Sequence, residues 1–284
     1  MIIDFHVHAG EVPQHFSKQF ATEMMNAVGK EPNDLSVNLS SLIYEMDHNG
    51  VDKAVLLAFE APWVGVHVTN QYVSNLISQY PGRFFGFASF DAKTPITWNM
   101  LEHAHRKQGL IGYKLAFGYQ NVAPEDPAWR NLYLYASTYN LPVLVHLGYT
   151  PISKVNMAYC MPKRLYQVCE EYKNMIVIVA HMGWPWIRDT LMLIENFENV
   201  YADLSVLSVN LSMEQILDLL HQARDRGVIH KLIWGSDYPI FTMKSTVSFL
   251  QDIREQTTRS GLLAGEQWDT IQYRTAEALL LNKG

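Results

Sequence analysis

The chain predicts a (β/α)8 barrel, a TIM-barrel α/β fold, on three observations. Short apolar runs recur eight times along its 284 residues, segments of helical length separate them, and no glycine-rich phosphate loop follows the first run. Parallel strands need long crossovers, usually helices, so repeated alternation reads as a parallel sheet ringed by helices. An open doubly wound sheet also alternates, but it usually carries G-x-G-x-x-G after its first strand. Here the first run continues HAGEVPQHF.

The elements follow in order. IIDFH (2–6) is the first strand, and residues 9–35 read as a long first loop, a length associated with lids and binding elements. A helix over 36–49 is stopped by Gly50. KAVLLAF (53–59) precedes a helix over 67–80, and FFGFASF (84–90) precedes one over 96–108. LIGYKLA (110–116) leads to 127–139, where Asp126 and Pro127 put proline at the first helical position. PVLVHL (142–147) leads to 162–173, and MIVIVAH (175–181) to 186–196. VYADLS (200–205) leads to 212–226, opened by Ser212 and Gln215 in capping-box spacing. KLIWGSD (231–237) leads to 244–257, and EQWDTIQYRTAEALLL (266–281) adds a last helix with apolar residues three and four apart. No linker or low-complexity tract interrupts this series, so residues 1–284 read as one domain.

Composition narrows the function. A hydrophobic share of 48% supports a large core without any run of about 20 apolar residues, so no membrane partner is expected. A net charge of −6 with no basic run argues against nucleic acid and leaves a small molecule as the expected substrate. Cys160 and Cys169 read as free buried thiols of a reducing compartment. A strand starting at Ile2 leaves no room for a secretory leader, so a cytoplasmic protein is expected.

The histidines carry the chemistry. Alternation puts His6 and His8 on one strand face with Cα atoms ~7 Å apart, and puts Asp4 one step deeper, where it would orient a ligand. Two surface histidines on an edge strand would show the same spacing. The other ionisable groups decide between these readings, because Lys114, His146, His181 and Asp237 also fall at the late ends of their runs. In a barrel those ends surround the one mouth where active sites are built, so the cluster reads as a metal site. His103 and His105 repeat the H-x-H spacing on a helical segment, where i and i+2 do not share a face. His48, His67, His221 and His230 stand singly, and His15 lies in the long loop with nothing in its neighbours to give it a role.

The ordered set of H-x-H on the first strand, histidines on the fifth and sixth, and aspartate on the eighth resembles the amidohydrolase superfamily. IIDFHVHAG, GYKLAFGYQ, LPVLVHLG, VAHMGW, VYADLS and IWGSDYP are similar to its amidohydrolase-related branch, which includes aminocarboxymuconate-semialdehyde decarboxylase. These blocks run from residue 2 to residue 239. The resemblance implies His6, His8, His146 and Asp237 as metal ligands, with Asp237 also exchanging protons with bound water. It implies His181 beside the metal, polarising the substrate or acting as acid or base. Imidazole and carboxylate donors suit Zn2+, with Mn2+ or Fe2+ as alternatives, and one ion per chain is expected. Lys114 is expected to bind substrate, its ammonium meeting a substrate carboxylate; a carboxylated bridge between two metals and a side chain snorkelling from the wall are the alternatives.

Trp184 and Trp186 are candidates for an aromatic pocket, and Trp184 is expected to bind substrate. Tyr149 and Tyr238 adjoin site residues, and Arg188 reads as a surface arginine. The leading expectation is a metal-dependent hydrolase of an ester, lactone or amide of a small carboxylate. The alternative is a carboxy-lyase that decarboxylates an unsaturated or aromatic acid with the same residues. TatD-type deoxyribonucleases carry a glutamate where this chain has Lys114, and a metal-holding scaffold without turnover would be expected to lack a ligand. A homodimer is expected by analogy with the family.

Overall fold

The computed structural model describes residues 1–281. Eight parallel strands form one sheet whose neighbours follow chain order. They are β1 (Ile3–Val7), β2 (Lys53–Leu57), β3 (Phe84–Ala88), β4 (Leu110–Leu115), β5 (Val143–Val145), β6 (Val177–Val179), β7 (Val200–Asp203) and β8 (Leu232–Ile233). Each falls on its predicted run, most of them shorter because only the paired centre of a run counts as strand. The seam between β8 and β1 is closed by the segment after β8. Phe5 N donates to Trp234 O (3.2 Å), Asp237 N to His6 O (2.9 Å) and His8 N to Tyr238 O (2.8 Å). Closure of the barrel thereby sets Asp237 against both histidines of β1.

Within β1 the expected alternation breaks. Asp4 pairs with Ala54 and Val7 with Leu56, so three steps on β1 oppose two on β2. Such a bulge inserts an extra residue and re-aims the side chains beside it. Ile3 and Phe5 join Leu144, Ile178 and Ile233 in the barrel interior, whereas Val7 packs in the outer layer with the helices. Asp4 therefore does not share a simple face with His6 and His8, and it orients no imidazole. Its Oδ1 accepts from the backbone N–H groups of His6 (3.1 Å) and Ser236 (2.9 Å), tying β1 to the closing segment.

The helices occupy the predicted spans. Gly50 ends Leu39–Asn49 at φ 71°, the left-handed conformation that a side chain would disfavour. Ser212 and Gln215 form the reciprocal cap of Met213–Asp225, and Asp126 accepts from Ala128 N. Residues 9–35 are a correction: they hold a helix, Lys18–Asn26, and a 3-10 turn, Pro32–Leu35. Ser17 caps that helix, and the spacing of Phe20, Ala21, Met24 and Met25 gives it one apolar face to bury. The expected helix over 67–80 starts only at Asn70, because Phe59–Ala61 and Val66–Val68 form a small antiparallel hairpin turning at Gly65. The last helix is relieved by a π turn over Thr270–Arg274 before Thr275–Leu281, which packs Ala276, Leu279 and Leu280 onto the barrel interior. Among the described residues no helix is long and apolar enough to cross a membrane.

Candidate metal centre

His6 and His8 (β1), Lys114 (β4), His146 (after β5), His181 (after β6), Asp203 (end of β7) and Asp237 (after β8) are all buried at the carboxyl mouth of the barrel. Asp237 Oδ1 lies 3.5 Å from His6 Nε2 and 3.4 Å from His8 Nε2. Lys114 Nζ lies 3.0 Å from His6 Nε2. His146 is joined to the cluster through His181, its Nδ1 3.1 Å from His181 Nε2.

Hydrogen bonds fix most of the proton positions. Asp203 can only accept, so His6 Nδ1 (2.8 Å) carries a proton and His6 Nε2 keeps a lone pair. The Ser205 hydroxyl donates to the other Asp203 oxygen and so must accept from His181 Nδ1 (2.7 Å). His181 Nε2 is then an acceptor, His146 Nδ1 is its donor, and His146 Nε2 is left with a lone pair. That atom is buried with no partner, as is Nδ1 of His8. A metal-binding imidazole characteristically donates its second ring N–H to a carboxylate or other acceptor while the first nitrogen faces the ion. His6 and His146 are both held in that form.

Electrostatics agree. Burial pushes His6, His8 and His146 below the usual imidazole range, and His181 down to about 4, so all four are neutral bases at neutral pH. Burial also opposes the charges of Asp203 and Asp237, but His6 foremost outweighs it, and both carboxyls stay below the ordinary range. Burial lowers Lys114 to about 8 against the pull of Asp237 and Asp203, which leaves it mainly cationic at pH 7. Two carboxylates against one ammonium leave a net negative charge out of water, a deficit that a cation relieves.

The donor set fits a divalent ion. Ligands ~2.0–2.1 Å from tetrahedral zinc stand ~3.4 Å apart along a tetrahedron edge. The Asp237–His6 and Asp237–His8 separations of 3.5 and 3.4 Å match it. Among the described residues two sets of three donors lie within coordinating reach: His6, His8, Asp237 and His6, His181, Asp203. The second is knitted by its own bonds, since Asp203 takes the His6 N–H and the His181 backbone N–H (2.8 Å). It is the layer that orients the first.

The centre floors a cavity of ≈ 420 Å3 whose lining includes Lys114, Trp184 and Tyr149. Arg188, Tyr238, Trp186 and His15 do not line it. Reasoning from the sequence passed over Asp203 and Ser205, although Asp203 ends the seventh run as the other site residues end theirs. It also passed over the wall supplied by the Lys18–Asn26 helix, whose Phe20 and Met24 face the cavity.

A parallel eight-stranded barrel with a His-x-His strand, two further histidines and a late aspartate at one mouth defines a class of barrel enzymes with a candidate metal centre. The chain belongs to the amidohydrolase family, whose match covers residues 3–280. No curated protein matches it in sequence. Among solved structures it is similar to an uncharacterized TIM-barrel protein from Bordetella bronchiseptica (17% identity, 100% of this chain and 99% of that one, TM-score 0.80). It is also similar to a probable 2-pyrone-4,6-dicarboxylic acid hydrolase from Acinetobacter baumannii with citric acid bound (21%, 95% and 98%, TM-score 0.67). A 2,6-dihydroxybenzoate decarboxylase from Rhizobium resembles it as well (14%, 100% and 99%, TM-score 0.71). At these identities the likeness is one of fold. Neighbours in the family include both hydrolases and decarboxylases, and the family is one of enzymes.

Proposed function

We propose that the protein is a hydrolase that opens an ester, lactone or amide at a single divalent cation held by His6, His8, Asp237 and the free Nε2 of His146. The observation that carries this reading is the convergence of His6, His8 and Asp237, with Asp237 at tetrahedral-edge distance from both imidazoles; the buried, unpartnered Nε2 of His146 supports it as the fourth donor. Zinc is the cation proposed, Mn2+ or Fe2+ also suiting a nitrogen and oxygen site; it supplies a Lewis acid that brings the pKa of water from ~15.7 to ~7.

The chain's own residues do the rest. Asp237 takes the proton of the attacking water and returns it to the leaving oxygen or nitrogen as the acyl bond breaks. His181, neutral and braced by Ser205, accepts through Nε2 and so holds His146 in place; that nitrogen becomes a second base of the site only when its bond to His146 opens. Lys114 donates to the His6 lone pair that a cation would take, so a loaded site frees its ammonium for a substrate carboxylate. Trp184 forms part of the substrate wall.

The carboxy-lyase reading is favoured by one observation: the apolar cavity with Lys114 at its floor would also seat an aromatic acid by its carboxylate. Zinc-loaded protein given aryl esters, lactones and aromatic acids separates the two. Ring opening or ester cleavage without CO2 is the expected result, and CO2 release from an acid would replace hydrolysis with decarboxylation. Asp237→Asn should lower turnover at least ~100-fold with the far-ultraviolet circular dichroism unchanged; full activity in that variant would remove Asp237 from the reaction.

A further inference from the structure

The walls of the cavity say what the floor does not. Phe16, Phe20 and Met24 come from the segment after β1, Phe59 from the hairpin, and Ile240 and Phe241 from the connection after β8. Charge is scarce in this lining. Apart from Lys114 and the floor's histidines and Asp237, Lys30 is the one charged side chain among the described residues of the lining, which hold no arginine or glutamate. Lys30 is already engaged: its ammonium donates to Pro239 O (3.1 Å) and Ile240 O (2.9 Å), stitching the first segment to the last across the mouth. The Tyr119 hydroxyl is likewise spent on Thr150 Oγ1 (2.5 Å).

A substrate body with a second carboxylate would lose its hydration against phenyl rings and meet only Lys30, held at the rim by two carbonyls, to offset the loss. An aromatic or branched-alkyl body loses little water and gains contact on every side.

Resting on the hydrolytic reading above for the reacting end, we propose that the substrate's remaining body is uncharged and apolar, of aromatic bulk, with no more than one carboxylate. Dicarboxylates are disfavoured by the wall and not by the metal site. Specificity then resides in the connections after β1, β2 and β8, while the chemistry resides at the strand ends.

Calorimetric binding of a matched pair of acids to the zinc-loaded full chain tests this. 4-tert-Butylbenzoate and terephthalate share a ring and one carboxylate and differ only in what stands opposite. The first should bind at least about tenfold more tightly; equal or tighter binding of terephthalate overturns the proposal. Val209 lines the cavity yet is 57% exposed, so Val209→Arg adds a cation to the wall without emptying the core. That variant should narrow the preference at least about threefold, and a preference left unchanged would place the ligand outside this cavity and also overturn the proposal. Aryl ester cleavage is scored separately: tight binding of the apolar acid with no ester opened sinks the hydrolytic reading and leaves the assignment of the wall standing.

Discussion

At the mouth of the barrel Asp203 accepts from His6 Nδ1 through one oxygen and from Ser205 and the His181 backbone through the other. Three imidazole protons, those of His6, His181 and His146, are thereby arranged by one carboxylate that does not line the cavity. An amide at this position keeps one acceptor and loses the charge, so Asp203→Asn should weaken zinc binding ~10–100-fold in chelator competition; unchanged affinity would contradict the orienting role. Lys114 competes for the lone pair of His6, so Lys114→Met should still hold one zinc per chain by elemental analysis, at least as tightly as the parent. Two ions lost together in that variant would instead make Lys114 a bridge. Strain gathers here too: His181, Val206 and Asp237 have φ of 58°, 68° and 59°, values that non-glycine residues adopt rarely and chiefly at functional sites. His6, His8 and Asp237 were legible in the sequence because strand-end histidines and a strand-end acid are rare enough to form a pattern. Asp203 was not, because its partner His6 is 197 residues away and nothing local distinguishes it from an aspartate that ends a strand.

Elements position those residues through small departures from regularity. The bulge of β1 turns His6 toward the centre while Phe5 still fills the barrel interior. Gly148, at φ 106°, carries the chain from His146 past Trp184, whose carbonyl accepts from Tyr149 N (2.7 Å); a Cβ at Gly148 would strike that carbonyl. Gly148→Ala should therefore cost about 2 kcal/mol or more in urea unfolding, and an unchanged midpoint would show that the turn has slack. Strand and helix order was readable from apolar periodicity because each element buries one face. The bulge was not, since alternation presumes one residue per step. The helix at Lys18–Asn26 was hidden among Pro13, Gly29 and Pro32, which read as breakers and in fact bound it on either side.

At the scale of the molecule, barrel closure converts distant strand ends into one centre, and the outer layer seals the rest. Cys160 and Cys169 are free and buried, each pushed by burial from 9.0 to about 12. The folded chain keeps both protonated where the unfolded chain ionises, so these thiols make stability fall as pH rises from 9 toward 12. Neither should react with iodoacetamide at pH 8.5 in the native protein, and both should react in urea; rapid native labelling would contradict the packing. The central claim is that folding gathers His6, His8 and Asp237 around a single cation with His146 as the remaining donor. Diffraction from zinc-loaded crystals at the zinc absorption edge tests it most directly. The account predicts one anomalous peak per chain bounded by His6 Nε2, His8 Nε2 and Asp237 Oδ1, and it is contradicted by zinc bound only elsewhere or by no peak at that place.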